Sequence, residues 1–304
     1  MIDVNLYELV IEADNKLIEQ GIEPHQRPIG ACQYIADKLG ISFVIGQRNS
    51  ILVDAVHKIY EDLYRPQDLI GPPVHVGCCL FRDVFLEIKI PLIYGSPAVG
   101  PKDVLPKVNG RLTEWMFSNR DAGKRFYDQF FDLFDFAYGL DDIEGQESQP
   151  DRVTEFFFLG KQQLQGASAT VLGSFDKYTA IQSSLYSIEL ILKGALAAKN
   201  VSDNDLKNKY GHNLQKLSEE VSTLYPQMDG ALVQAVCKRL PNVITRRYEV
   251  KDYTRQQIGE IVMNAQYIAG EVIRQFSDRN IRQDFAAQDT ANEGDFKVRT
   301  FPVL

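Results

Sequence analysis

The sequence predicts a mainly α-helical protein built in two parts. Three observations lead there. Apolar residues recur at helical spacing over most of the 304 residues. One stretch, 74–94, is instead rich in Val, Ile, Leu and Phe and alternates apolar with polar residues. A polar, acidic run with glycine and proline, 141–150, separates the two halves. The expected organisation is an N-terminal helical or α+β domain over 1–140 carrying one or two short strands, a linker over 141–152, a C-terminal up-and-down helical bundle over 153–276, and a polar tail over 277–304.

In the first half, Leu6, Leu9, Val10, Ala13 and Leu17 share a face of a first helix. Pro28 suits the first turn of a second, which runs through Cys32, Ile35 and Leu39 and ends at Gly40. Ser50 is an N-cap candidate for a third, through Val56 and Tyr60. Strand character follows at Phe85-Leu86-Glu87-Ile88-Lys89-Ile90. A Pro/Gly loop follows over 95–106. The segment 111–138 reads as one long helix crowded with Phe126, Tyr127, Phe130, Phe131, Phe134 and Tyr138. Aromatics on two faces suit a helix packed between two layers. If exposed, they would instead offer a contact face for a dimer or a larger assembly.

In the second half, 153–172 forms one helix. Ile181, Leu185, Ile188, Leu192 and Ala195 then mark the clearest helix of the chain, at spacings of four and three. Glu189 and Lys193 stand four apart on it, in the order that favours an ion pair. Ser202-Asp203-Asn204-Asp205 resembles a capping box and opens a short helix. Two further helices carry Leu214, Leu217, Val221 and then Leu232, Val236, Leu240. Thr254-Arg255-Gln256-Gln257 is a capping box for the last, with Ile258, Ile261, Ala265, Ile268 and Val272 on its inner face. The tail is polar and loosely packed, with Phe301-Pro302-Val303-Leu304 its dockable end.

Composition excludes several classes. The net charge is −8, so any nucleic-acid contact must be a local patch rather than a basic surface. The four cysteines show no C-x-x-C spacing, which suits a reducing cytoplasm. No apolar run is long enough to cross a bilayer, and the first residues lack the regions of a signal peptide, so no membrane association is expected. No P-loop, dinucleotide-binding glycine pattern, H-E-x-x-H or nucleophile elbow occurs.

Three motifs in the second half fall in an informative order. Tyr178, Ala180 and Glu189-Leu190-Ile191-Leu192-Lys193 come first, then Gly211-His212-Asn213-Leu214, then Arg247-Tyr248 before the last long helix. Together they resemble the HEPN family of small helical domains over about 125 residues, 153–276. The resemblance implies an RNA- or nucleotide-binding bundle, commonly dimeric, and often part of toxin–antitoxin or phage-defence systems. The ribonucleases of that family carry an R-x(4–6)-H motif. Here the only histidines are His25, His57, His75 and His212, and none follows an arginine at that spacing. No catalytic residue is therefore assigned, and neither a metal nor a cofactor is expected.

The resulting binding candidates are Lys193, His212, Arg246, Arg247 and Tyr248. Paired guanidinium groups match phosphate oxygens bidentately. The expected partners are a second copy of the chain, an RNA or nucleotide ligand, or another protein. Two rival chemistries are weaker. Asp68 with Glu87 and Lys89 resembles the D…E-x-K set of metal-dependent nucleases, and strand alternation puts Glu87 and Lys89 on one side. The run 36–42 resembles the turn of a helix-turn-helix, but Phe43-Val44-Ile45-Gly46 follows where a polar recognition helix would start.

Overall fold

A computed structural model describes residues 5–44, 50–93, 95, 99–144, 150–173, 177–241, 252–288 and 298–303. The chain is mainly α with a small two-stranded antiparallel sheet. It divides into two compact units, 1–72 and 73–304.

The first unit packs α1 (Leu6–Glu19), α2 (Arg27–Leu39) and α3 (Ile51–Leu63) around Val10, Ala13, Cys32, Ile35, Val56 and Tyr60. Pro28 sits in the first turn of α2, Gly40 closes it, and the Ser50 hydroxyl caps α3 through Val53 N–H. A buried carboxylate ties the three helices together. Asp14 accepts from the hydroxyls of Tyr60 at 3.0 Å and Tyr64 at 2.6 Å, with Arg27 3.7 Å away. A buried charge needs such partners to offset its lost hydration.

The second unit begins with the hairpin of β1 (His75–Phe81) and β2 (Val84–Ile90), paired from His75↔Ile90 to Phe81↔Val84. The helices α4 (Pro101–Val104), α5 (Gly110–Ser118) and α6 (Arg120–Glu144) follow. The bundle then runs α7 (Asp151–Leu172), α8 (Lys177–Ala198), α9 (Asp203–Asp205) continued by a π turn at Leu206–Tyr210, α10 (Leu214–Leu224), α11 (Gly230–Arg239), α12 (Arg255–Ile273) and α13 (Ile281–Gln288). The Ser202 hydroxyl caps its helix through Asp205 N–H, and the predicted capping box at Thr254 forms with Gln257.

Four expectations need correction. The strands belong to the second unit: Phe85 and Cys78 pack into the bundle core and the rest of the hairpin into a second cluster with α6. The helix expected over 111–138 is two, broken at Asn119, whose side chain accepts from Ala122 N–H. Residues 141–144, expected to open a linker, complete α6, and Ile143 is buried in the bundle core, while 145–149 lie outside the described residues. The aromatic face of α6 is consumed by the chain's own core: Phe126, Phe130, Phe131 and Tyr138 are buried, so it is no contact face for a partner.

Two close approaches fix where α6 and β1 meet α12. A Cβ on Gly270 would lie 2.6 Å from the Asp132 carbonyl oxygen, so only glycine lets α12 cross α6 at this distance. One turn earlier, the side-chain amide of Gln266 donates to Cys78 O and accepts from Cys78 N–H, both at 2.8 Å. It thus acts as a strand partner for β1 in a site with no water to do so.

Candidate functional site

Two of the motif residues, Lys193 and His212, converge on Glu189. It lies in the middle of α8, beside the apolar stripe that faces the core, and is 3% exposed. One helical turn on, Lys193 Nζ stands 2.7 Å from Glu189 Oε1. From the other side His212 Nδ1 lies 3.0 and 2.9 Å from the two carboxylate oxygens. The chain delivers the imidazole there through local geometry. The π turn ends at Gly211, whose φ of 58° combined with ψ of −123° is a conformation suited to glycine. Asn213 then caps α10 through Lys216 N–H at 3.0 Å, leaving His212 between two fixed points.

A carboxylate only accepts, so the imidazole donates through Nδ1–H, and Nε2 is the nitrogen left for a ligand. Among the described residues Nε2 has no hydrogen-bond partner, and the His212 side chain is 60% exposed. Neutral, Nε2 accepts; protonated, it donates.

His212 and Glu189 line a cleft of about 570 Å³. Its walls carry Gln163 of α7, Gln182, Ser183 and Tyr186 of α8, Gln215 of α10 and Lys238 of α11. Amides, a hydroxyl, a half-exposed phenol ring and one ammonium group are what a nucleobase, a ribose and a phosphate take. Cys237 also lines it, but burial pushes that thiol up to about 12, so it offers no thiolate nucleophile.

The predicted residues therefore separate. His212 lines the cleft. Lys193 does not: its side chain is 12% exposed and turned to Glu189, so it holds the carboxylate rather than a ligand. The Glu189–Lys193 pair is thus largely buried. Arg246, Arg247 and Tyr248 lie outside the described residues. Sequence reading missed Glu189 as the hub and Gln163, Ser183, Gln215 and Lys238 as walls. One signal was available: Gln182, Tyr186, Glu189 and Lys193 make a polar stripe with helical spacing beside the apolar one.

The carboxylates of the rival metal set have other partners. Asp68, in the first unit, is held bidentately by Arg65 at 2.8 Å, and Glu87, in the second, lies 3.2 Å from Lys107. Among the described residues, no group of three or more His, Cys, Asp or Glu could hold a metal ion. Likewise, no described helix is long and apolar enough to cross a membrane. Comparison with protein-family models, with curated proteins and with solved structures finds no match to this chain.

Proposed function

We propose that the second unit is a HEPN-like binding domain whose cleft takes a phosphate-bearing ligand, RNA or a nucleotide, and that it binds without cleaving. The observation that carries this is the gathering of Lys193 and His212 on a buried carboxylate that lines a cleft walled by amides, a hydroxyl and Lys238. Glu189 balances one of the cations, so the site suits a ligand that is read by its base and sugar as much as by its charge. Arg246 and Arg247, a few residues beyond the cleft wall in sequence, supply the phosphate fork of this reading. Buried, unpaired cysteines support work in the reducing cytoplasm. The HEPN resemblance supports a defence setting and a homodimer, which sedimentation at tens of micromolar (roughly, from affinity arithmetic) would reveal.

The test is a titration of labelled mononucleotides and short RNAs. His212→Ala, Lys238→Ala and the double change Arg246→Ala/Arg247→Ala should each weaken binding by about 1.5–3 kcal/mol, and added salt should lower affinity. Equal binding by all three variants removes the cleft from consideration. In EDTA the native protein should leave RNA intact. Metal-free cleavage that His212→Ala abolishes would replace the binding reading with a nuclease one.

A further inference from the structure

The segment 298–303 is held as a bound peptide would be. Arg299, Thr300 and Phe301 supply its inward contacts, while Val298 and Val303 remain 72% and 67% exposed. The Arg299 guanidinium grips both oxygens of Asp132 on α6 and stacks 4.5 Å over the Tyr267 ring of α12. Asp128, one turn earlier on α6, reads the backbone: its Oδ2 accepts from Thr300 N at 2.8 Å, Thr300 Oγ1 at 2.8 Å and Phe301 N at 2.9 Å. The Phe301 ring is 3% exposed, with the Arg125 guanidinium 5.3 Å from its centroid. Arg239 of α11 closes the far end by donating to Val303 O at 2.7 Å.

The receiving surface has a chemistry of its own. Arg125, Asp128 and Asp132 share one face of α6 at spacings of three and four. Asp128 and Asp132 are 2% and 0% exposed, and they keep Arg282 and Arg274 as partners that do not come from the segment. Without the segment, Asp128 loses three donors and Asp132 loses a guanidinium. An acidic slot floored by an aromatic ring then stands open. Water takes the place of those donors while the slot is open, so a segment that closes it again must bring the same groups.

The geometry points to a peptide-recognition socket. It fits an extended segment that carries an arginine and, two residues later, a large aromatic ring, and in this chain it is filled by the chain's own residues 298–303. Because that occupant belongs to the same chain, a partner segment must outcompete an intramolecular contact. Arg239, which holds Val303, is next in sequence to Lys238 and Leu240, both of which line the cleft. The inference stands on contacts outside the cleft and does not depend on what the cleft binds.

The experiment inserts a specific protease site within 289–297 and cuts the folded, full-length chain. A fluorescent peptide of residues 298–304 is then added and its binding followed by anisotropy and native mass. The cut protein should exchange its own strap for the labelled peptide and keep its helical circular dichroism. Arg299→Ala and Phe301→Ala peptides should each bind at least tenfold more weakly, and uncut protein should bind the native peptide at least tenfold more weakly than cut protein. Folded, cut protein that takes up no peptide, or takes up the Arg299→Ala peptide equally well, overturns the socket. Loss of the fold on cutting also overturns it, because the segment would then be core rather than ligand.

Discussion

At the scale of single residues, two buried ionisable groups make opposite demands. Glu189 is buried with Lys193 and His212 facing its carboxylate. Glu189→Leu strips the 12%-exposed ammonium of its counter-charge, and losing one partner of a buried pair costs about 3–5 kcal/mol. Adding Lys193→Met should restore most of that in urea unfolding, because no charge is then left buried. A double variant no more stable than the single would mean the ammonium escapes to water. His75 is the reverse case. It is fully buried, its two ring nitrogens meet no hydrogen-bond partner among the described residues, and Phe136 meets it edge-on at 5.2 Å. Burial, with a smaller push from Lys161, lowers it from 6.5 to about 3. The folded state thus refuses a proton that the unfolded chain accepts. Its contribution to stability is intact above about pH 6.5 and is lost as pH falls from there toward about 3. Between pH 7 and 5, His75→Leu should lose less stability than the native chain by roughly 2 kcal/mol. Parallel profiles for the two proteins would refute this assignment.

At the scale of elements, the crossing of α6 and α12 is set by what is missing from a side chain. Gly270→Ala puts a Cβ 2.6 Å from a backbone oxygen, which cannot swing aside as a side chain would. The helices must separate, and a loss of about 1–3 kcal/mol is expected in thermal unfolding. Gly166, on the exposed side of α7, has nothing within 4 Å of a built Cβ. Gly166→Ala should therefore stabilise by about 0.5–1 kcal/mol, the ordinary helix gain. The pair separates steric cost from propensity. Gln266 supports the same junction by polarity. Gln266→Leu leaves the Cys78 N–H and C=O buried and unbonded, at about 1–3 kcal/mol for each group.

At the scale of the whole molecule, each unit owns its core. The cluster built on Val10, Ile35 and Tyr60 draws only on residues before Pro73, and the other two clusters only on residues after it. A fragment of residues 73–304 should therefore express, show helical circular dichroism and melt cooperatively without the first 72 residues. A fragment that binds hydrophobic dye and melts without a transition would show that the second unit needs the first.

What the sequence determined by itself was local. Helix existence followed from spacing, as in Ile181 to Ala195. Helix starts followed from capping chemistry, as at Ser50, Ser202 and Thr254, because a cap's hydrogen bonds close within four residues. The meeting of Glu189 with Lys193 was legible for the same reason, being one helical turn. The meeting of Glu189 with His212 was not, although both residues stood in recognised motifs, since only the turn at Gly211 decides where the ring lands. Tertiary structure alone decided the rest. The hairpin joined the helical bundle because Gln266 and Cys78, 188 residues apart, complete each other's hydrogen bonds. The aromatics of α6 went inward because two layers were available to cover them. The tail, polar in composition, is docked because buried aspartates on α6 need its arginine and backbone donors. Charge reads as solvent-seeking in a sequence; which charges find a buried partner is a property of the assembled surfaces.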